Sequence, residues 1–337
     1  MAEQLIQRYL DEYEVAQNES LGQHFLIDDK VIDTIVDEVH EGSFVVEVGA
    51  GIGHVSTRLA ERASHVLGIE IDRRYQPILE DLQEENHKLT FVMGDALKVP
   101  LQRLAESAVE KGEKVQVIAN LPFHITEPFL RRMVDLPISN ATLMLGDKAG
   151  EELSADESSP IYGRMSLVAQ TFYDVRQLAK VPKESFSPPP RTESVLVGFD
   201  PKERKELKSQ PYTFVLAELI RREQKYGLVV NDLKQALVDA TMNGNGSTLS
   251  KADSHRRDRS NTRQQLKQMV QDYNLTGEVA ARQRRGGDKK VISQADALDV
   301  IAKMDIPCDI LNKPFFRLNN NELRALVRGI KGYYFKD

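Results

Sequence analysis

The chain has 337 residues, of which 41% are hydrophobic, so it can bury a large core and is predicted to form a principal domain with a smaller one. Its single cysteine, Cys308, excludes an internal disulfide and is typical of a reducing cytoplasm. The net charge is −6, residues 1–10 are polar, and no apolar run approaches membrane-spanning length. These features favour a soluble, cytoplasmic protein without a membrane partner over an integral membrane protein.

Residues 1–19 are acidic and helix-prone. From there to residue 199, apolar β-rich runs alternate with amphipathic segments, which is the pattern of a parallel α/β sheet. The runs predict strands near residues 44–48, 65–71, 89–93, 115–119, 140–145, 175–181 and 193–199. A charged stretch at 200–205 then marks a boundary, so we predict one domain over residues 1–200 and a second over 201–337.

The first of these strands breaks into three alternate glycines, Gly49, Gly51 and Gly53, and then into a helix-like segment at 54–63. A strand, a glycine turn and a helix bring the backbone close to a nucleotide-like ligand, because glycine turns sharply without a Cβ in the way. On this turn alone, a dinucleotide-binding enzyme remains as good an interpretation as any other.

Two acidic residues at the ends of the next strands help to distinguish between the possible classes of nucleotide-binding enzyme. Glu70 is placed for its carboxylate to accept both hydroxyls of a ribose, and Asp95, in Gly94-Asp95-Ala96, can accept the amino group of an adenine. With the Gly-x-Gly-x-Gly spacing, this favours an S-adenosylmethionine enzyme over a dinucleotide enzyme. Taken alone, Asp95 is also typical of a helix N-cap or a turn.

The tetrapeptide Asn120-Leu121-Pro122-Phe123 follows the apolar run 115–119, where a buried strand is predicted to end. The Asn120 side-chain oxygen and the Leu121 carbonyl can each accept one N–H of an exocyclic amine, and Phe123 offers a flat face for a base to stack on. These groups together could bind the amino group of an adenine. An Asn-x-Pro-aromatic turn is by itself also a plain loop.

The second domain is predicted to be helical, because apolar residues recur at helical spacing from Tyr212 onward. Residues 251–290 hold 11 Lys and Arg against 5 Asp and Glu, a local charge of +6 that leaves −12 for the remaining chain. This basic segment could contact RNA phosphates, or it could be a solvated surface loop. The candidate phosphate-contacting residues are Arg256, Arg257, Arg284 and Arg285.

Seven motifs, in order and spread over about residues 20–200, resemble the ribosomal RNA adenine dimethyltransferases of the KsgA type. The resemblance implies a seven-stranded, Rossmann-like class I S-adenosylmethionine-dependent methyltransferase sheet followed by a smaller helical domain. The motifs lie at residues 23–28, at 47–53 in the glycine turn, and at 68–72, 94–97, 120–126, 162–166 and 186–194.

The resemblance also implies an activity: transfer of methyl groups from S-adenosylmethionine to N6 of adenosines, twice on each of two adjacent adenosines near the 3′ end of small-subunit ribosomal RNA. The expected partner is ribosomal RNA within a small-subunit assembly particle, and we expect a monomer. The donor is an activated sulfonium, so no metal is expected.

The resemblance assigns a role to each site residue. Asn120, Leu121, Pro122 and Phe123 would be catalytic, with Phe123 and Phe186 stacking on the target base. Phe186 could instead pin the Ser-Pro-Pro-Pro loop to the core. The residues expected to bind the donor are Gln23, His24, Leu26, Glu47, Gly49, Gly51, Glu70, Asp95, Ala96 and Asn120.

Several positions depart from the family pattern. His24 replaces a common Asn, Ala50 a common Pro and Phe123 a common Tyr, while residues 145–153 lack the usual Gln-Lys-Glu stretch and a following Arg. The departures concern RNA docking more than the donor site.

Two alternatives stay open. An Erm-like large-subunit ribosomal RNA methyltransferase would share the active site, although Erm enzymes usually have Ile where this chain has Leu121. A non-catalytic ribosome-assembly or transcription factor could retain the fold, but the intact donor motifs argue against a complete loss of catalysis.

Overall fold

The computed structural model describes residues 2–17, 23–203, 211–226, 237–238 and 294–334. The chain divides into two compact units, Met1–Glu203 and Arg204–Asp337. Elements are numbered below in chain order over the described residues.

A seven-stranded sheet forms the centre of the first unit. Its strands are β2 (Phe44–Val48), β3 (His65–Glu70), β4 (Leu89–Met93), β5 (Val115–Asn120), β6 (Asn140–Gly146), β7 (Tyr173–Val181) and β9 (Ser194–Pro201). They lie side by side in the order β4-β3-β2-β5-β6-β9-β7. The pairs from β4 to β6 are parallel, whereas β9 runs antiparallel to both β6 and β7. The seven predicted strands are thereby confirmed.

Helices connect the strands of this unit. The helices are α1 (Ala2–Glu12), α2 (Asp29–Asp37), α3 (His54–Leu59), α4 (Gln76–Glu85), α5 (Leu101–Glu110), α6 (Phe123–Met133), α7 (Asp147–Ser154) and α8 (Arg164–Phe172).

The inner strands read as continuous apolar runs because both faces of a parallel sheet are covered by helices. In β5, Val115 to Ala119 are all buried, and only Asn120, at the carboxyl end, is exposed. In α2, Ile32, Ile35 and Val36 turn one apolar stripe inward. Asn120 therefore emerges from a rigid strand at the edge of the sheet where ligands of α/β proteins bind.

A second, two-stranded sheet pairs β1 (Phe25–Leu26) with β8 (Phe186–Ser187) in antiparallel register. The Ile27 amide donates to the Ser185 carbonyl at 2.8 Å, which extends the connection beyond the two strands. Phe25 and Leu26 are each 4% exposed. This pairing fixes the segment that contains Leu26, one of the residues predicted to bind the methyl donor.

The second unit is helical in its described part, as the apolar spacing predicted. Within the described residues of both units, no helix is long and apolar enough to cross a membrane. The basic segment 251–290 lies outside the described residues, so its RNA-binding role stays a prediction. The helices in the described part of this unit are α9 (Pro211–Tyr226), α10 (Gln294–Ala302), α11 (Cys308–Leu311) and α12 (Asn320–Tyr334).

Candidate active site

A cavity of about 250 Å³ opens at the carboxyl ends of β2, β3, β5 and β6. Such an edge is where open α/β sheets bind their ligands. The ten residues predicted to bind the donor all line this cavity, together with Pro122. Those ten are Gln23, His24, Leu26, Glu47, Gly49, Gly51, Glu70, Asp95, Ala96 and Asn120.

The glycine turn brings backbone to the cavity in conformations that side chains resist. Gly49 and Gly51 have φ of +82° and +57°. A Cβ on Gly49 would lie 3.1 Å from the Asn120 carbonyl oxygen, and one on Gly51 would lie 3.0 Å from the Phe25 ring. The turn thus packs directly against both the carboxyl end of β5 and the small sheet.

Glu70 ends β3 and is buried, with 6% of its surface exposed. Its two oxygens accept hydrogen bonds from the Gly51 amide at 2.7 Å and the Asp72 amide at 2.8 Å. Burial raises the pKa of Glu70, although these backbone amides oppose the rise. Each carboxyl oxygen has a second lone pair, so a carboxylate fixed in this way can still accept a ribose hydroxyl.

Asp95 lies in the turn after β4 and caps it, because its Oδ1 accepts from the Leu97 amide at 2.9 Å. Its Oδ2 lies 3.1 Å from the exposed Lys98 ammonium. The Leu97 amide and Lys98 lower the pKa of Asp95, which keeps it ionised. The turn-capping role that the sequence left open is therefore present, in a carboxylate that also lines the cavity.

Gln23 and His24 line the cavity, and hydrogen bonds to other residues hold both side chains in place. The Gln23 side chain donates to Asp72 at 2.7 Å and accepts from the Tyr75 hydroxyl at 2.6 Å. The His24 Nδ1 lies 2.7 Å from the Pro188 carbonyl oxygen, so Nδ1 carries the proton and donates. His24 thereby links the cover of the cavity to the loop after β8.

The side-chain amide of Asn120 has a defined orientation. Its Nδ2 points to the His24 carbonyl oxygen at 3.5 Å, which leaves Oδ1 as the acceptor end of the amide. The Leu121 amide donates to the Met144 carbonyl at 3.3 Å, and Pro122 precedes the first residue of α6. The backbone that carries the Leu121 carbonyl is thus held by β6 on one side and by α6 on the other.

Glu47 is a buried carboxyl group one residue before the carboxyl end of β2. It is 4% exposed and accepts a hydrogen bond from the Ser56 hydroxyl of α3. Burial raises the pKa of Glu47 to about 8, so in the absence of a ligand the group is mostly protonated at neutral pH.

The stacking role expected of Phe186 does not fit its position. Phe186 pairs with Leu26 across the small sheet, is 3% exposed and packs in the hydrophobic core outside the cavity lining. This is the packing role that the sequence left as the alternative. The Phe123 side chain falls outside what the structure describes, so its stacking role stays a prediction.

The sequence did not identify several residues that line the cavity. His54 and His124 were not predicted to belong to the site, yet both line it together with His24, which was. Ile71, directly after Glu70, is 58% exposed and offers an apolar face at the rim. An apolar residue directly after a strand-end carboxylate is a sequence signal for such a site, since a purine could cover it.

Several known proteins are similar to this chain in sequence or in structure. The small-subunit ribosomal RNA methyltransferase A of Staphylococcus aureus strain Newman is 37% identical over 192 residues, which are 56% of this chain and 65% of that protein. The protein of strain JH9 is 36% identical over the same shares. The match thus spans just under two thirds of these curated relatives.

Among solved structures, a dimethyladenosine transferase from Plasmodium falciparum is similar with a TM-score of 0.53 and 21% identity. The superposition covers 93% of this chain and 100% of that one, and at this identity it shows the fold alone. The profile of the family described as ribosomal RNA adenine dimethylase matches residues 15–269. The motifs, the sheet and the profile match agree, and the chain belongs to the ribosomal RNA adenine dimethylase family.

Proposed function

We propose that this protein transfers methyl groups from S-adenosylmethionine to N6 of adenosines in ribosomal RNA. The observation that carries the proposal is one cavity that brings Glu70, Asp95, the glycine turn and Asn120 together. The substrate is two adjacent adenosines near the 3′ end of small-subunit RNA, each methylated twice. The names of the relatives support the small subunit, and the two adjacent adenosines and their double methylation are what the family resemblance implies.

The methyl donor would lie along the edge of the sheet. Glu70 would accept hydrogen bonds from the ribose hydroxyls, and Asp95 would accept one from the adenine amino group. Ile71 would cover one face of the adenine. The amino-acid end would then extend towards the glycine turn and Glu47, and the sulfonium methyl would face Asn120.

The acceptor adenine would be extruded from the RNA and enter beside Asn120. Its amino group would donate to the Asn120 Oδ1 and to the Leu121 carbonyl. The nitrogen lone pair of an adenine amine is delocalised into the ring, and two acceptors in these positions draw the nitrogen towards a tetrahedral geometry. The lone pair would then attack the methyl carbon as the carbon–sulfur bond breaks, and the nitrogen would release a proton to water.

Catalysis in this scheme is positioning and differential hydrogen bonding. The donor supplies the activated methyl group, while the protein fixes the angle and distance of approach. The rigid carboxyl end of β5 suits this task, because its residues up to Ala119 are fully buried.

The partner would be ribosomal RNA in a small-subunit assembly particle, in the cytoplasm. The decisive experiment maps methylated adenosines in ribosomal RNA from cells with and without this gene. Loss of dimethylation at two adjacent adenosines near the 3′ end of small-subunit RNA is the expected result. Loss confined to large-subunit RNA, or an unchanged map, would contradict the proposal.

The variant Asn120→Ala should abolish most methyl transfer and leave donor affinity nearly unchanged, because Asn120 acts on the acceptor amine in the transition state. Single-turnover methylation and calorimetric titration with S-adenosylmethionine measure the two effects separately. Asn86→Ala, in the turn after α4, is the matched control and should retain parent activity. A loss of donor affinity with a retained turnover number would show that the assigned role is wrong.

A further inference from the structure

His54 is the first residue of α3 and has no role in the function proposed above. Its side chain is buried, with 7% of its surface exposed, and the Phe25 ring meets it edge-on at 5.9 Å. The His54 Nε2 lies 3.0 Å from the Leu26 carbonyl oxygen. Because a carbonyl oxygen only accepts, Nε2 carries the proton and Nδ1 keeps its lone pair.

The Nδ1 of His54 is one of three buried side-chain polar atoms in the described residues that have no hydrogen-bond partner. Burial lowers the pKa of His54 to about 4, so the ring is neutral at physiological pH and Nδ1 is a hydrogen-bond acceptor. His54 also lines the candidate donor cavity. A buried acceptor without a partner destabilises the protein unless a water or a ligand supplies a donor.

The position of His54 in the cavity restricts which group could donate a hydrogen bond to its Nδ1. Glu70 and Asp95 mark the nucleoside end, and Asn120 marks the methyl group. The amino-acid end of the methyl donor would then lie in the part of the cavity that is lined by Leu26, Glu47 and His54. Its carboxylate cannot donate, whereas its α-ammonium has three N–H donors.

We propose that the Nδ1 of His54 accepts a hydrogen bond from the α-ammonium of the methyl donor and so selects for donors that carry an amino-acid end. The inference rests on the proposed function. It makes His54 a specificity residue that holds the donor by its far end, while the bond to Leu26 orients the ring. Leu26 in turn is fixed by its pairing with Phe186.

Two substitutions distinguish the contribution of Nδ1 from that of Nε2. His54→Gln places an amide N–H near the position of Nε2 and can keep the bond to Leu26, but it has no acceptor at Nδ1. His54→Asn places its carbonyl oxygen near Nδ1 and loses the bond to Leu26. His65→Phe is the control, because His65 stacks on Phe44 at the amino ends of the strands.

Calorimetric titration of the full chain should use two ligands: S-adenosylhomocysteine, which has the ammonium, and 5′-methylthioadenosine, which lacks the amino-acid end. His54→Gln should weaken the first by about tenfold and leave the second unchanged. His54→Asn should bind S-adenosylhomocysteine more tightly than His54→Gln does. If the bond to Leu26 is what matters, the order of the two variants is reversed.

His54 also lines a neighbouring cavity beneath α1. If its Nδ1 serves that cavity instead, His54→Gln binds both ligands as the parent does, and the inference fails while the donor site stands. A parent protein that binds neither ligand would instead contradict the proposed function.

A spectroscopic measurement on the parent protein decides the matter even if the variants fail to fold. In protein labelled with ¹⁵N-histidine, S-adenosylhomocysteine should move one unprotonated Nδ1 resonance upfield, as expected when a lone pair accepts a hydrogen bond. 5′-Methylthioadenosine should leave that resonance in place. A movement of equal size with both ligands would overturn the inference.

Discussion

Glu47 and Glu70 are buried carboxyl groups on neighbouring strands, yet their partners differ in number and kind. Glu70 receives two backbone amides, whereas Glu47 receives only the Ser56 hydroxyl among the hydrogen bonds of the described residues. Hydrogen-bond donors stabilise the ionised form of a carboxyl group, and burial destabilises it. Glu70 is therefore better prepared to act as a fixed acceptor, and Glu47 is better prepared to hold a proton.

Replacing Glu70 by Ala should weaken donor binding by about 1–3 kcal/mol, because ribose hydroxyls and two backbone amides lose their acceptor. Titration with 5′-methylthioadenosine and with its 2′-deoxy analogue tests the ribose contact directly. The parent should prefer the ribose form, and the variant should lose that preference. Equal affinities of a folded Glu70→Ala variant and the parent would remove Glu70 from the site.

Glu47 should make the stability of the ligand-free protein depend on pH. Its pKa rises from 4.5 to about 8 on folding, so between these values the folded state binds more protons than the unfolded state. The free energy of unfolding then falls as pH rises, by at most about 1.4 kcal/mol per pH unit. His54, with its pKa lowered to about 4, acts in the opposite sense and mainly below pH 6.5.

Urea unfolding of Glu47→Gln between pH 6.5 and 8.5 measures this contribution. The variant should lose the slope that the parent shows, because the amide that replaces the carboxyl group would accept from Ser56 without titrating. Glu84→Gln, on the exposed face of α4, should keep the parent's slope. A parent without any slope in this range would show that Glu47 is ionised in the folded protein.

At the scale of elements, the junction between the glycine turn and the end of β5 decides the geometry of the site. Gly49→Ala adds a Cβ 3.1 Å from the Asn120 carbonyl oxygen, at a residue with φ of +82°. Gly112→Ala is a matched control, since Gly112 has φ of +84° and nothing within 4 Å of the added Cβ. Both variants should lose about 1–2 kcal/mol of stability through backbone strain.

Only Gly49→Ala should also impair methyl transfer, because the added methyl group displaces the strand end that carries Asn120. Chemical denaturation measures the strain, and single-turnover methylation measures the displacement. If the two alanine variants lose activity equally, the contact with Asn120 has no part in catalysis.

The strands and several of the cavity-lining residues could be predicted because each carries a local signal. An inner parallel strand is a short apolar run, and the glycines, Glu70 and Asn120 each stand where such a run ends. The pairing of β1 with β8 has no such signal, since two residues show no periodicity. The burial of Phe186 follows from that pairing, which explains why its stacking role was expected and its packing role was found.

The cavity-lining role of His54 was equally hidden in the sequence. A histidine after a glycine turn has no pattern of its own. Its environment is set by the Leu26 carbonyl and the Phe25 ring, which come from another element. Contacts between elements that are distant in sequence thus form the part of the site that local sequence patterns do not predict.

At the scale of the whole molecule, the net charge is −6, whereas the segment formed by residues 251–290 is basic. Replacing Arg256, Arg257, Arg284 and Arg285 by Gln should weaken binding to ribosomal RNA. It should also reduce the salt dependence by nearly one logarithmic unit for each lost phosphate contact. Filter binding at several salt concentrations measures both effects, and methylation at saturating RNA should persist. Equal salt slopes for variant and parent would favour a solvated loop.

The bond between His24 and Pro188 spans 164 residues of chain, and the pairing of β1 with β8 spans a similar distance. During synthesis, the glycine turn, Glu70, Asp95 and Asn120 all leave the ribosome before β8 exists. A nascent chain that ends before Phe186 therefore holds the residues of the donor site without the strand that secures its cover. Affinity for S-adenosylmethionine should therefore arise late in translation, only after β8 has been synthesised and has paired with β1.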